Sequence, residues 1–193
     1  MTTKEKIKAL AVRLRGRIFS RDVAKFLGGG ALAAAVLTIV VLFAGSWGYA
    51  TGLFPSYFTN PLTLLLNFLP IYGCVLLFGL IFQSLRLSVF ISGLFWMGIA
   101  VANMAMINWR HAALKPDDFA LIIPTLKILP HYMQDLDFSL VFYALAGIAA
   151  LALFARFMPK THFHPVSRLL AGLLVVAIAA GTGNVVYAST PLY

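Results

Sequence analysis

The sequence predicts an all-α, polytopic membrane protein with five transmembrane helices and a juxtamembrane helical segment between the third and the fourth. Three observations predict it. The chain is 61% hydrophobic and only 11% charged, with a mean hydropathy of +0.91, far above a water-soluble domain. It contains five apolar runs, at about 26–49, 61–82, 87–108, 138–158 and 166–188. At about 1.5 Å per residue, such runs match about 30 Å of hydrocarbon. Lysine and arginine fall mostly on one side of the resulting zigzag. This composition excludes a soluble enzyme.

Residues 1–25 form a basic cytoplasmic segment, with Lys4, Lys6, Lys8, Arg13, Arg15, Arg17, Arg21 and Lys25 against Glu5 and Asp22. Ile7, Leu10, Leu14 and Ile18 recur at helical spacing, as in an amphipathic helix lying on an anionic leaflet. A solvated basic tail that only sets orientation fits the same residues. The formal net charge of +9 therefore reads as topology and anionic-lipid attraction. Nucleic acid is not an expected partner, because the chain lacks polar strands interleaved with aromatics.

The first span reads as an uncleaved anchor, since its apolar run exceeds the about 7–15 residues of a signal-peptide core and further spans follow. Glycines 28–30 and alanines 33–35 offer small surfaces for helix contact. Residues 51–60 lack lysine and arginine and are rich in aromatics, as in a short external loop. The second span contains Asn67 and Pro70. Pro70 is expected to kink it, and Asn67 to find a partner in the bundle. Its one cysteine, Cys74, reads as a small buried hydrophobe. Gln83, Ser84, Leu85 and Arg86 form a tight internal turn into the third span.

The stretch Asn103 to Phe119 is polar where an apolar run ends. Asn103 and Arg110 are seven residues apart, two turns of helix, so with Trp96 they share a face near the membrane boundary. Lys115, Pro116, Asp117 and Asp118 break the helix. Residues 110–137 form an external juxtamembrane segment in which Asp118 is a fair N-cap for short helical pieces divided by Pro124 and Pro130. His162 and His164 follow the fourth span and read as ordinary loop histidines, because no third metal ligand lies near them in sequence. The fifth span carries Ala177 and Gly181 in small-xxx-small spacing, with Thr182 and Asn184 as polar contacts. With the N-terminus inside, only Arg110, Lys115 and Lys127 lie outside, so the charge bias favours a cytoplasmic N-terminus and an external C-terminus.

Chemistry is sparse. Asp117, Asp118, Asp135 and Asp137 could hold a divalent cation, although capping and solubility explain them more simply. Arg110 suits either a lipid phosphate, or snorkelling and a pair with a nearby aspartate. No catalytic constellation, phosphate loop or metal cluster is visible.

The order Asn103, Arg110, Leu114, Pro116, Asp118, Phe119 is similar to the pattern N-x6-R-G-x-P-L-x-P-x-D-L at the end of the third span in lipoteichoic acid synthases and related phosphoglycerol transferases. The five spans and the basic start also resemble that family's membrane domain. His111 and Ala113 depart from it, standing where the pattern has glycine and proline. The resemblance implies a bacterial inner (plasma) membrane protein that anchors a phospholipid head-group transferase and faces its lipid. Asn103, Arg110 and Asp118 would be the lipid- and phosphate-binding residues. It implies no cofactor in this chain; the family's metal-dependent, sulfatase-like external domain has no counterpart in these residues. Partners would be membrane phospholipids, an extracytoplasmic catalytic domain, or another membrane protein. The alternative is a non-catalytic scaffold or accessory subunit of a cell-envelope complex.

Overall fold

The computed structural model describes residues 21–46, 53–121, 138–161 and 165–188. Those residues are mostly helical, with no strand among them. Helix α1 is Arg21–Gly45, α2 Leu53–Thr59, α3 Pro61–Phe82, α4 Leu85–Arg110, α5 Phe138–Phe157 and α6 Pro165–Ala188; a 3₁₀ turn, Pro116–Leu121, follows α4. Most of the basic N-terminal segment (1–20) and of the external segment (122–137) lies outside the described residues, as do His162 and His164.

Three helical stretches are long and apolar enough to cross a membrane: Asp22–Gly45, Pro61–Phe82 and Leu85–Met104. That is fewer than the five expected. The described apolar stretches of α5 and α6, Leu145–Phe157 and Arg168–Asn184, are shorter.

Local chemistry sets the helix limits. Asn60 caps α3, its Oδ1 accepting from Leu62 N at 2.9 Å, and Pro61 occupies the first turn, where its missing donor costs nothing. Gln83 ends α3 in the left-handed region at φ 52°, donating its N–H to Gly79 O at 3.0 Å. Ser84 then caps α4. The turn is thus two residues, Gln83 and Ser84, shorter than expected, and it makes α3 and α4 an antiparallel hairpin.

Helices α1, α3 and α4 pack mutually, α5 packs against α4, and α6 packs chiefly against α3. The core joins Phe26, Ala33 and Ala34 of α1 to Tyr72, Val75 and Leu76 of α3 and to Leu85 and Val89 of α4. Small residues permit this approach. A Cβ on Gly30 would meet Tyr72 and Val75 at 3.5 and 3.6 Å, and one on Gly29 would meet Leu85 and Pro159 at 3.1 and 3.4 Å; Gly28, by contrast, faces open space.

Several polar expectations need correction. Asn67 does not use a bundle partner: its Nδ2 donates to Thr63 O, one turn back, at 2.8 Å. Thr182 likewise donates to Ile178 O at 2.7 Å. Short polar side chains reach the preceding turn more readily than a neighbouring helix. Pro70 lies inside α3, as expected of the second span. Ala177 and Gly181 are exposed, and α6 instead buries Ala171 and Ile178, with Ile178 meeting Gly73 of α3. The aromatic stretch before α3 contains a helix, α2, tied to α1 by an edge-to-face contact from Phe43 to Phe54, and within α2 Phe54 meets Phe58 in the same way.

Helix α5 meets α4 at Gly93, where an added Cβ would come within 2.5 Å of Leu151 Cδ1. Gly98, on the same helix, has nothing within 4 Å of such an atom. Gly93→Val should therefore destabilise the bundle by about 1–3 kcal/mol more than Gly98→Val, since both changes share any helix-propensity effect. Thermal unfolding of the two variants in detergent checks it; equal midpoints would refute the contact.

Candidate functional site

The stretch where α4 ends is built around one amide side chain. Asn103, half-buried, donates from Nδ2 to Gly45 O at 3.0 Å and accepts at Oδ1 from Leu114 N at 2.9 Å. Gly45 closes α1, so its carbonyl has no partner within its own helix. The approach is close: a Cβ on Gly45 would lie 3.5 Å from Asn103 Nδ2 and 3.7 Å from Ala100 Cα. One side chain thus joins the end of α1, the last turns of α4 and the chain beyond.

Between Asn103 and Leu114 the chain reverses at His111. His111 takes φ 54° and ψ 27°, and its N–H donates to Ile107 O at 2.9 Å, the left-handed helix ending that glycine favours. The glycine of the resembled pattern stands at this position, so the departure changes the residue and keeps a glycine-type turn.

Asp118 closes the hook, though not as the N-cap. It lies inside the 3₁₀ turn, and its Oδ2 reaches back to Lys115 N at 2.8 Å while its own N–H donates to Lys115 O at 3.0 Å. This is the acidic half of a capping box. Asp118 is 9% exposed, and the Lys115 N–H helps offset the desolvation of its carboxylate. Arg110 is the last residue of α4. Its side chain lies outside the described residues, so its pairing with Asp118 does too.

Asn103 and Asp118 thus hold opposite ends of the Leu114–Lys115 dipeptide. Asp117 is exposed, Asp135 and Asp137 lie outside the described residues, and no group of three potential metal ligands occurs among the described residues. Sequence reading missed Gly45 and gave Leu114 a place only in the resembled pattern; both take part through backbone atoms, which leave no compositional signal.

At the same end of the bundle, α1, α2 and α3 enclose an apolar cleft of about 270 Å³. Thr38, Ile39, Phe58, Leu64, Leu65 and Phe68 line it, and Thr38 turns its hydroxyl away to Ala34 O at 2.7 Å. The lining that remains is hydrocarbon, suited to an acyl chain.

Compared with known protein families, with curated proteins and with solved structures, the chain matches none.

Two outcomes test the hook. Asn103→Ala leaves Gly45 O and Leu114 N without partners, at about 1–3 kcal/mol for each group that stays buried. Hydrogen exchange should accelerate across 112–121 while the middle of α4 stays protected; unchanged exchange would mean that Asn103 does not hold the turn. At residue 111, His111→Gly should be at least as stable as the parent, and His111→Ile less stable by about 1–2 kcal/mol, because branching at Cβ opposes a positive φ. Thermal midpoints give the order.

Proposed function

We propose that the chain is the membrane-anchoring, lipid-facing domain of a phospholipid head-group transferase of the phosphoglycerol type. In this reading α1, α3, α4, α5 and α6 are the five spans, the N-terminus is cytoplasmic and the C-terminus is external, in a bacterial plasma membrane. The catalytic groups belong to an external domain or partner. The observation that carries the reading is the hydrogen-bonded hook. Asn103, Leu114 and Asp118, which bear the family-like pattern, are joined through the Leu114–Lys115 backbone, as expected if the pattern encodes one shape. Charge adds support. Lys25, Arg86, Arg156, Lys160 and Arg168 gather at one end of the helices, and Arg110 and Lys115 stand at the other beside two aspartates.

Arg110 ends α4, where its charge complements the helix dipole and where a lipid phosphate would arrive at the membrane surface. The cleft between α1, α2 and α3 offers an acyl chain a place at that same end. A scaffold role rests on α5, which packs against α4 and leaves Leu145 and Leu153 open to lipid or to a second membrane protein.

The test is head-group release from phosphatidylglycerol vesicles by the assembled enzyme, with insertion followed by protease protection. Losing a charge-assisted contact worth about 1.5–3 kcal/mol should make Arg110→Ala about ten- to a hundredfold slower with insertion intact. An unchanged rate would remove Arg110 from the mechanism; a wild-type complex with no release at all would leave the scaffold reading.

A further inference from the structure

At the opposite end of the bundle, cations from α1, from α4 and from the chain just past α5 lie about one junction. Arg86 is the second residue of α4, where a positive charge opposes the helix dipole. It is held there by α5: its Nε donates to Met158 O at 2.9 Å, just past the last residue of that helix, which uses one guanidinium edge and leaves both Nη groups without a hydrogen bond among the described residues. Gly29 of α1 packs against Leu85 and Pro159, the neighbours of these two residues. Lys25 lies four residues before Gly29, hence on the same face one turn nearer the helix end. Lys160 follows Pro159 and is exposed.

Among the described residues, Asp22 is the single carboxylate at this end, and it makes no ion pair with Lys25, Arg86 or Lys160. Beside Lys160, the Thr161 hydroxyl is buried with no hydrogen-bond partner. Two unused Nη groups on Arg86, flanked by Lys25 and Lys160, suit an anionic ligand. The surroundings say which kind. Phe157, 82% exposed, immediately precedes Met158, and Phe82, 40% exposed, ends α3 just before the turn that leads to Arg86, so in a bilayer both rings would meet hydrocarbon. A free anion would use only the cations, whereas a lipid would use both.

We infer that the junction of α1, α4 and the end of α5 binds the phosphate head group of an anionic phospholipid, with Arg86 as the fixed donor, Lys25 and Lys160 as flanking charges, and an acyl chain along Phe157. This site rests on the membrane reading of the bundle and is independent of transferase activity and of Arg110.

The full chain, reconstituted in mixed phosphatidylglycerol and phosphatidylcholine vesicles, is photolabelled with a phosphatidylglycerol probe, and adducts are mapped by peptide mass spectrometry. Adducts are expected within 153–161 and 82–87, at least tenfold above those from a phosphatidylcholine probe. Arg86→Gln should lower them about tenfold. Because Arg86 also holds Met158, the double variant Lys25→Gln/Lys160→Gln, which alters two exposed side chains, should lower them severalfold with an unchanged thermal midpoint. Excess inorganic phosphate should not compete. Equal labelling by both probes, full labelling of the double variant, or displacement by inorganic phosphate would each overturn the site. Arg110→Ala should leave these adducts unchanged, which separates this site from the proposed function.

Discussion

Helices inside hydrocarbon gain nothing by hiding apolar side chains from water, so their association depends on close approach and on the few hydrogen bonds that cross between them. Four crossing bonds among the described residues share one form, a side-chain donor to a backbone carbonyl of another helix or helix end. Tyr72 OH donates to Leu27 O at 3.2 Å, Ser88 Oγ to Val75 O, Arg86 Nε to Met158 O and Asn103 Nδ2 to Gly45 O. The first two lie inside the bundle, where carbonyls already engaged in a helix accept a second donor. The last two lie near its ends, where carbonyls would otherwise be orphaned. Small residues make such reach possible, since Gly29, Gly30, Ala33 and Ala34 let α1 sit against α3 and α4. Met158 and Gly45, which accept at opposite ends, are each gripped by α4. It is the helix on which α1, α3 and α5 are registered.

Much of the scaffold was legible in sequence because hydropathy and punctuation are local signals. Asn60 with Pro61 marks the start of α3, and that helix occupies the expected 61–82. The break after α4 is written in Lys115 through Asp118, although the helix already ends at Arg110, where His111 turns left-handed. What sequence could not give was the direction of polar side chains. Asn67 and Thr182 look like bundle contacts by type, yet each is satisfied one turn back on its own helix. Asn103 is chemically the same as Asn67 and does cross to another helix. The difference lies in the neighbour: Gly45 brings an unpaired carbonyl within reach, and a partner that is backbone carries no letter of its own.

The same distinction separates the two helix pairs expected to pack through small residues. Glycine and alanine are permissive, and only geometry decides whether the permission is used. Gly29 and Gly30 are used because α3, α4 and the end of α5 converge on them. Gly181 is not, because α6 meets α3 through Ile178 against Gly73. Asp118 shows the corresponding limit for caps. Its type and its place after Pro116 announce a helix start, but the side chain reaches backward as the third residue of the turn, a role that shares all its sequence signals with an N-cap.

His111 shows why the hook holds despite an unfavourable residue at its corner. A left-handed conformation at a non-glycine residue costs about 1–2 kcal/mol, and it persists only where neighbours over-determine it. Three hydrogen bonds do so: His111 N to Ile107 O, Asn103 to Leu114 N, and Asp118 to Lys115 N. None of them uses the His111 side chain. The turn is therefore fixed from both sides of residue 111, and its shape is transmitted from α1. Asn103 binds Gly45 and Leu114 with the two halves of one rigid amide, so a movement of the α1 end must carry the Leu114–Lys115 segment with it. The position of the turn from His111 to Asp118 is thereby set by helix packing inside the bundle.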